Sequence, residues 1–128
     1  MPLTTVGRNF IAAAIINDGP PTHFDNDSSY LGVGDSTTAF SAAHTDLQAA
    51  SNKLRKGMEA TYPSRATNVL TFRSLFSTAE ANFHWQEWAL FNAAAAGDML
   101  SRKVEDLGTK TSAQSWQLTA TITVNIGS

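Results

Sequence analysis

Cysteine is absent from all 128 residues of the chain, which excludes disulfide bonds, thiolate metal sites and a cysteine nucleophile. A small secreted scaffold held together by disulfides is therefore excluded as well. The chain also lacks a long hydrophobic run, because FIAAAII at positions 10–16 is far too short to cross a bilayer. No lysine precedes this run and no clear cleavage signal follows it, so we expect neither a signal peptide nor a membrane partner.

Charge of either sign is scarce in this chain. Charged residues make up 16% of the sequence and the formal net charge is −2, so we expect no nucleic-acid partner. The basic cluster of Lys53, Arg55 and Lys56 is short and has no interleaved aromatic residues, and we interpret it as a solvated face. A hydrophobic content of 42% is typical of a globular protein, and the length fits a single domain over 1–128.

Motifs for catalysis, cofactors and metals are also missing. The three histidines do not form HxxxH or HExxH, the GVGDS segment lacks the lysine of a P-loop, and no GxSxG occurs. His23, Asp25 and Asp27 alternate in HFDND and offer oxygens to a cation, but a turn rich in Asp and Asn is the favoured interpretation. We therefore expect a protein that is not an enzyme, with no catalytic residues, no cofactor and no metal.

The residue pattern predicts a mainly β fold, an antiparallel β-sandwich-like domain with one N-terminal α-helix. The helix is indicated by an apolar stripe that follows capping threonines and stops at Asp18-Gly19-Pro20-Pro21. Between 41 and 56 two interpretations stay open: a helical face, or an edge strand in NKLRKGME whose cations discourage unwanted pairing. The predicted elements are a helix over 5–17, a short strand around 30–33, and strands over 68–76, 83–92, 99–104 and 115–126.

Alternation of apolar and polar residues is clearest in the last predicted strand, SWQLTATITVNI. There the apolar residues from Trp116 to Ile126 occupy one face and the threonines the other, as in a half-buried antiparallel strand. Apolar side chains of the earlier strands complete the expected core. The predicted core residues are Phe72, Phe83, Trp85, Trp88, Phe91, Trp116, Leu118, Ile122 and Val124.

One carboxylate, Glu87, lies among aromatic rings in FHWQEWALF. The apolar pattern changes along this strand, so either a two-sided core begins at Trp88 or a bulge near Gln86 and Glu87 resets the alternation. Burying an isolated charge is prohibitive, so the carboxylate needs a partner, and the candidates are Arg73 and Arg102 on the flanking strands. We favour this structural ion pair over catalysis with His84, which strict alternation places on the opposite face.

The three tryptophans allow one alternative interpretation. If Trp85, Trp88 and Trp116 were exposed together, their rings would form a platform on which a saccharide could stack. Aromatic residues at a spacing of two are more often core residues, and we favour that interpretation. A carbohydrate-binding module therefore stays as a second alternative.

The segment QEWALFNAAAAGDMLSRKV resembles a hairpin of tailed-bacteriophage collar and tail-fibre proteins. That hairpin carries a Glu, a small residue and Leu-Phe-Asn, then a glycine-containing turn and a second strand. YLGVGDSTTAF resembles the hydrophobic-Gly-x-Gly-Asp element of the same proteins, and the order of the elements agrees over about 5–126. Trp88 stands where the family often has isoleucine, and Ala89 where it often has glycine. The matching residues are Glu87, Ala89, Leu90, Phe91, Asn92, Gly97, Met99 and Leu100.

The resemblance implies a virion structural protein, made in the host cytoplasm. We expect an accessory capsid decoration or cement protein that binds and stabilises the capsid shell, with a tail collar or tail-fibre attachment protein as the alternative. The expected partners are other virion proteins, either the major capsid protein or tail and collar proteins, together with further copies of this chain in a homo-oligomer. The candidate contact segments are 23–29, 37–44, 93–98 and the N-terminal arm.

Overall fold

A computed structural model describes residues 1–127 and confirms the mainly β fold class. Within these residues, one helix precedes seven strands that form two antiparallel sheets. The helix is α1 (Thr5–Ile16). The strands are β1 (Tyr30–Gly34), β2 (Lys53–Gly57), β3 (Ser64–Ala66), β4 (Val69–Phe76), β5 (His84–Phe91), β6 (Met99–Thr109) and β7 (Trp116–Thr123).

The two sheets pack face to face in a sandwich-like arrangement, with the main core between them. One sheet has four strands in the order β2-β1-β5-β6, and the other has three in the order β3-β4-β7. Alternate residues of β1, β5, β4 and β7 point inward and bury their apolar side chains against the facing sheet. The buried core residues are Leu31, Val33, Phe72, Phe76, Ala81, Trp85, Trp88, Leu90, Leu100 and Ala120.

The outer face of the four-stranded sheet is also covered. Residues 35–52, which connect β1 to β2, contain neither helix nor strand and lie across this face, where Leu47 joins a second buried cluster with Ala89, Phe91 and Met99. The helical interpretation of 41–56 is therefore wrong. The edge-strand interpretation is correct for β2, which pairs only with β1 in the described residues.

Strand β5 contains the irregularity that its sequence pattern indicates. The pairing of β5 with β6 shifts register between Trp85 and Glu87. Trp85 and Trp88 both join the core between the sheets although they are three positions apart, so the alternation resets between them. Phe91 packs into the cluster on the outer face. Both explanations of the pattern are therefore correct. A bulge changes the direction of the side chains, and the strand has apolar clusters on both of its faces.

Helix α1 begins and ends with side-chain and backbone caps. The Thr4 hydroxyl accepts the Gly7 N–H at 2.8 Å, and Asn17 adopts a left-handed conformation with φ 54°. Thr4 also donates from its backbone N–H to Leu100 of β6 at 3.0 Å. A Cβ on Gly7 would lie 2.1 Å from the Leu100 carbonyl oxygen, so the helix approaches β6 at a distance that only glycine allows.

Most predicted core residues are buried or packed against the core, but Val124 is not. Strand β7 ends at Thr123, and Val124 and Ile126 are 64% and 99% exposed. The alternating pattern continues past the last residue that pairs as a strand with β4, so the sequence overestimates the length of the buried face. Phe72, Trp85, Trp88 and Phe91 are buried, whereas Phe83, Trp116, Leu118 and Ile122 are partly buried at the margin of the core.

Candidate functional site

The charged residues of the hairpin formed by β5 and β6 make one buried ion pair. Arg102 Nε on β6 donates to Glu87 Oε1 on β5 at 2.8 Å, and both side chains are fully buried. Arg73 is not a partner of Glu87, and that part of the prediction is wrong. Its Nε donates to Glu59 at 3.0 Å, because β4 belongs to the other sheet and is not the neighbour of β5 that sequence order suggests.

The Glu87 carboxylate also binds the backbone of the 35–52 connection. Each carboxylate oxygen accepts hydrogen bonds from this segment, and Arg102 Nη2 donates to the Thr38 carbonyl at 3.0 Å. Both members of the ion pair therefore bind this irregular segment and hold it against the sheet. The N–H donors to Glu87 are Gln48 at 2.8 Å, Ala49 at 2.9 Å and Ser36 at 3.4 Å.

Gly34 of the GVGD segment completes this framework. A Cβ added at Gly34 would lie 2.3 Å from Glu87 Oε2, so only a glycine lets the carboxylate sit at that place in the sheet. In the register of β1 with β5, Gly34 is the direct partner of Glu87. The GVGD segment and the β5–β6 hairpin, on which the resemblance rests, thus meet in space. Their separate positions in the sequence do not reveal this contact.

Asn92 at the end of β5 organises the turn over 93–98. Its Oδ1 accepts the Asp98 N–H at 2.8 Å, and its Nδ2 donates to the Thr22 carbonyl at 2.9 Å. Arg55 Nη1 donates to the Ala93 carbonyl at 2.9 Å and also reaches the Ala96 carbonyl. The turn is therefore tied both to β2 and to the segment that follows α1.

Segment 37–44 and the turn 93–98, which we call the outer loops, are two of the predicted contact segments. Most of their residues are exposed. Arg55 links the turn 93–98 to the 35–52 connection, because its Nη2 lies 3.1 Å from Asp46 while its Nη1 binds the turn. The outer loops consist mainly of small residues with few charges. They share the low charge with the centres of interfaces, whereas their abundance of alanine is not an interface feature.

His84 and Glu87 do not interact with each other. His84 Nε2 lies 2.7 Å from Asp106 Oδ1 at an exposed position, and this hydrogen bond holds the pKa of Asp106 below its usual value. Because of the bulge, strict alternation does not decide on which face His84 lies. His84 and Glu87 nevertheless have different partners, Asp106 and Arg102. Among residues 1–127, no group of three or more His, Asp or Glu side chains could hold a metal ion.

The HFDND segment forms a turn in the structure. Asp25 Oδ1 accepts the Ser28 N–H at 2.9 Å, and the Asp25 carbonyl accepts the Ser29 N–H at 3.0 Å. This is the local side-chain to backbone bonding that favours Asp in turns. The carboxylate of Asp25 therefore has a structural role in this loop.

The three tryptophans do not form an exposed platform, so that alternative lacks its structural basis. Trp85 is buried and packs edge to face with Phe76 and Trp116, at centroid distances of 4.9 and 5.0 Å. The Trp88 indole N–H donates to Glu105 at 3.0 Å while its ring lies in the core. Trp85 and Trp88 therefore serve as core residues, and Trp116 packs against the core at its margin.

An apolar groove of about 470 Å³ opens beside α1, at one end of the sandwich. Sequence patterns missed it, because its walls come from the helix and from both sheets. Among residues 1–127, no helix combines the length and apolar character needed to cross a membrane. The groove is lined chiefly by Phe10, Ile11, Leu70, Leu100, Ile122 and Val124.

Comparison with known proteins identifies no family for this chain. Neither a scan against protein-family models nor a search of curated proteins finds a match to the chain. The features of the chain that bear on function are a buried ion pair that orders the segment containing 37–44, and an apolar groove beside β7.

Proposed function

We propose that the protein is a non-enzymatic virion structural protein of a tailed bacteriophage, an accessory decoration or cement protein that binds and stabilises the capsid shell. The observation that carries the proposal is the structural role of the residues in the phage-like motifs. Of these motif residues, Glu87 and Asn92 bind backbone segments and Gly34 leaves room for the Glu87 carboxylate. Arg102, the partner of Glu87, binds the Thr38 carbonyl. Such residues serve a preformed binding surface, and none of them is available to a substrate.

The proposed mechanism uses binding energy alone. A surface that is already ordered loses little conformational entropy when it binds, so its contacts translate more fully into affinity. The ion pair between Glu87 and Arg102 orders the segment that contains 37–44, and Asn92 and Arg55 order the turn 93–98. We assign the outer loops as the capsid-facing surface, with the major capsid protein as the partner.

Attachment to the tail is the second candidate, because the hairpin resembles collar and tail-fibre proteins. The two locations differ in stoichiometry. A decoration protein follows the many copies of the capsid protein, whereas a collar or tail component follows the low symmetry of the tail. Quantifying the protein in purified virions therefore separates the two, and a copy number in the range of tail proteins would reject the capsid role.

Addition of purified protein to capsids that lack it tests the capsid role directly. We expect the wild-type protein to bind and to raise the temperature at which the capsids release their genome. Ala95→Arg introduces a large charged side chain at an exposed position of the outer loops and should weaken binding. Ala113→Arg makes the same change at an exposed position of the β6–β7 loop and should bind normally. Failure of the wild-type protein to bind would refute the capsid role.

A further inference from the structure

The four edge strands of the two sheets differ in their protection against pairing with another chain. Free edges attract further strands, and natural proteins protect them with charges, short length, bulges or a covering segment. Strand β2 carries three cations, and β3 has three residues including Arg65. Strand β6 carries charges and a register shift, and Leu3 forms a bridge to its Ser101. Strand β7 has none of these protections.

The free edge of β7 is long and neutral. Residues 111–127 contain no charged residue and no proline, and in the described chain β7 pairs only with β4. Val124 N–H donates to the Asn68 carbonyl beside β4. Because backbone groups of successive residues point to opposite sides, the N–H and C=O groups of Thr119, Thr121 and Thr123 point away from β4.

The apolar groove lies next to this edge. Ile122, Thr123 and Val124 form part of its wall, so a strand added to β7 would direct alternate side chains toward the groove. Val124 and Ile126 are exposed, uncharged and two positions apart. In a single copy, these side chains project from the end of β7 with nothing to cover them.

We propose that two copies of the chain pair through their β7 edges, antiparallel about a two-fold axis near Thr123, with Val124 and Ile126 of each copy covering the other's groove. This register pairs position 122 with 124 and position 120 with 126. Residues of even number then face even-numbered residues, so the apolar side chains of both copies share one side of the joined sheet. A single segment thus supplies both the edge and the side chains that cover the groove, as a self-complementary two-fold interface requires.

The groove is necessary to this dimer because a strand edge alone is a small contact. A stable interface buries about 800 Å² on each partner, and paired backbones contribute only part of that area. Covering the groove and the side chains of Val124 and Ile126 adds apolar surface next to the new hydrogen bonds. The pairing does not depend on a role in the virion, and a failure to bind capsids would leave it unaffected.

The oligomeric state of the purified chain tests the pairing, with light scattering after size exclusion from about 1 to about 100 µM, a range suited to micromolar affinity. We expect the wild-type chain to be dimeric at the upper end. The variant Val124→Lys/Ile126→Lys should be monomeric throughout, and its fold should be intact because both side chains are exposed. The matched control is Ile15→Lys/Ile16→Lys, which changes two exposed isoleucines of α1 in the same way and should remain dimeric.

The proposal would be overturned by a monomeric wild-type chain over the whole range, by a dimer unaffected by Val124→Lys/Ile126→Lys, or by a dimer lost in the α1 control. A trimer would also overturn it, because two-fold edge pairing closes with two copies.

A cross-link tests the position of the axis in a chain that has no other cysteine. Thr123→Cys places two thiols beside the two-fold axis, where the Cα atoms of a hydrogen-bonded antiparallel pair are about 5.5 Å apart, within disulfide range. We expect oxidation to give a covalent dimer. Thr119→Cys lies on the same face of β7 but away from the axis, and it should remain uncross-linked. A dimer that forms through Thr119→Cys and not through Thr123→Cys would refute the stated register.

Discussion

Replacing Glu87 with glutamine removes the negative charge of the buried ion pair and changes almost no volume. Arg102 would then keep its charge in a fully buried site with no carboxylate to balance it, while its Nη2 still donates to the Thr38 backbone carbonyl. In wild type both carboxylate oxygens accept N–H groups. Whichever carboxylate oxygen the amide NH₂ of glutamine replaces, it therefore faces an N–H donor. Breaking a buried pair from one side costs about 3–5 kcal/mol.

That cost is large against the stability of a domain of this size, which is about 5–15 kcal/mol. It corresponds to a fall in melting temperature of roughly 10–20 °C. Urea unfolding followed by tryptophan fluorescence measures the free energy of unfolding, since Trp85 and Trp88 are buried. Glu105→Gln is the matched control, because Glu105 forms a partly exposed pair with Lys103 and such pairs contribute about 0–1 kcal/mol. Glutamine at this position keeps an oxygen that can accept the Trp88 indole N–H, as Glu105 does at 3.0 Å.

A loss of less than about 1 kcal/mol for Glu87→Gln would refute the structural role of the pair, because that is the range of exposed pairs. The double variant Glu87→Gln/Arg102→Met provides a second check. Removing the guanidinium as well should recover part of the loss, since no unpaired charge then remains buried. Recovery should be incomplete, because the amide still offers fewer acceptors than the carboxylate to Gln48 and Ala49.

Two further substitutions test the framework and its charges. Gly34→Ala should cost about 1–3 kcal/mol through overpacking against Glu87, whereas Gly57→Ala, whose Cβ would have no neighbour closer than 3.6 Å, should change stability by about 0.5 kcal/mol or less in the same urea assay. The hydrogen bonds from Lys56 and from the Ser77 N–H lower the pKa of Glu80 from 4.5 to about 2. The stabilisation from the ionised carboxylate is therefore present above pH 4.5 and is lost as the pH falls toward 2. Glu80→Gln should flatten that fall in the urea midpoint, and an unchanged pH profile would contradict the assignment.

Sequence patterns were sufficient for the fold class and for much of the core. Period-two alternation predicts strands because successive side chains of a strand point to opposite faces. This local rule located the regions of β4, β5 and β7, and the threonines before α1 indicated its start. The disturbed alternation around Glu87 indicated either a bulge or a two-sided core, and the strand has both features. The need of a buried carboxylate for a cationic partner follows from electrostatics and requires no knowledge of topology.

Topology decided which cation that partner is. Arg73 and Arg102 are equivalent in sequence, on the strands before and after β5, but only β6 is its neighbour in the sheet. The short strand β3 has no counterpart among the predicted elements, because three exposed residues carry no alternating apolar pattern. The close approach of Gly34 to Glu87 joins two motifs more than fifty positions apart, and no local rule predicts such a contact.

The limits of the buried surface were likewise decided by the packing of the two sheets. The alternation that buries Ala120 continues through Val124 and Ile126, yet these last two side chains are exposed. A side chain is buried only where another layer faces it, and β4 no longer pairs with the chain as a strand beyond Thr123. The sequence specifies which residues can be buried, and the arrangement of the sheets determines which of them remain available to a second chain.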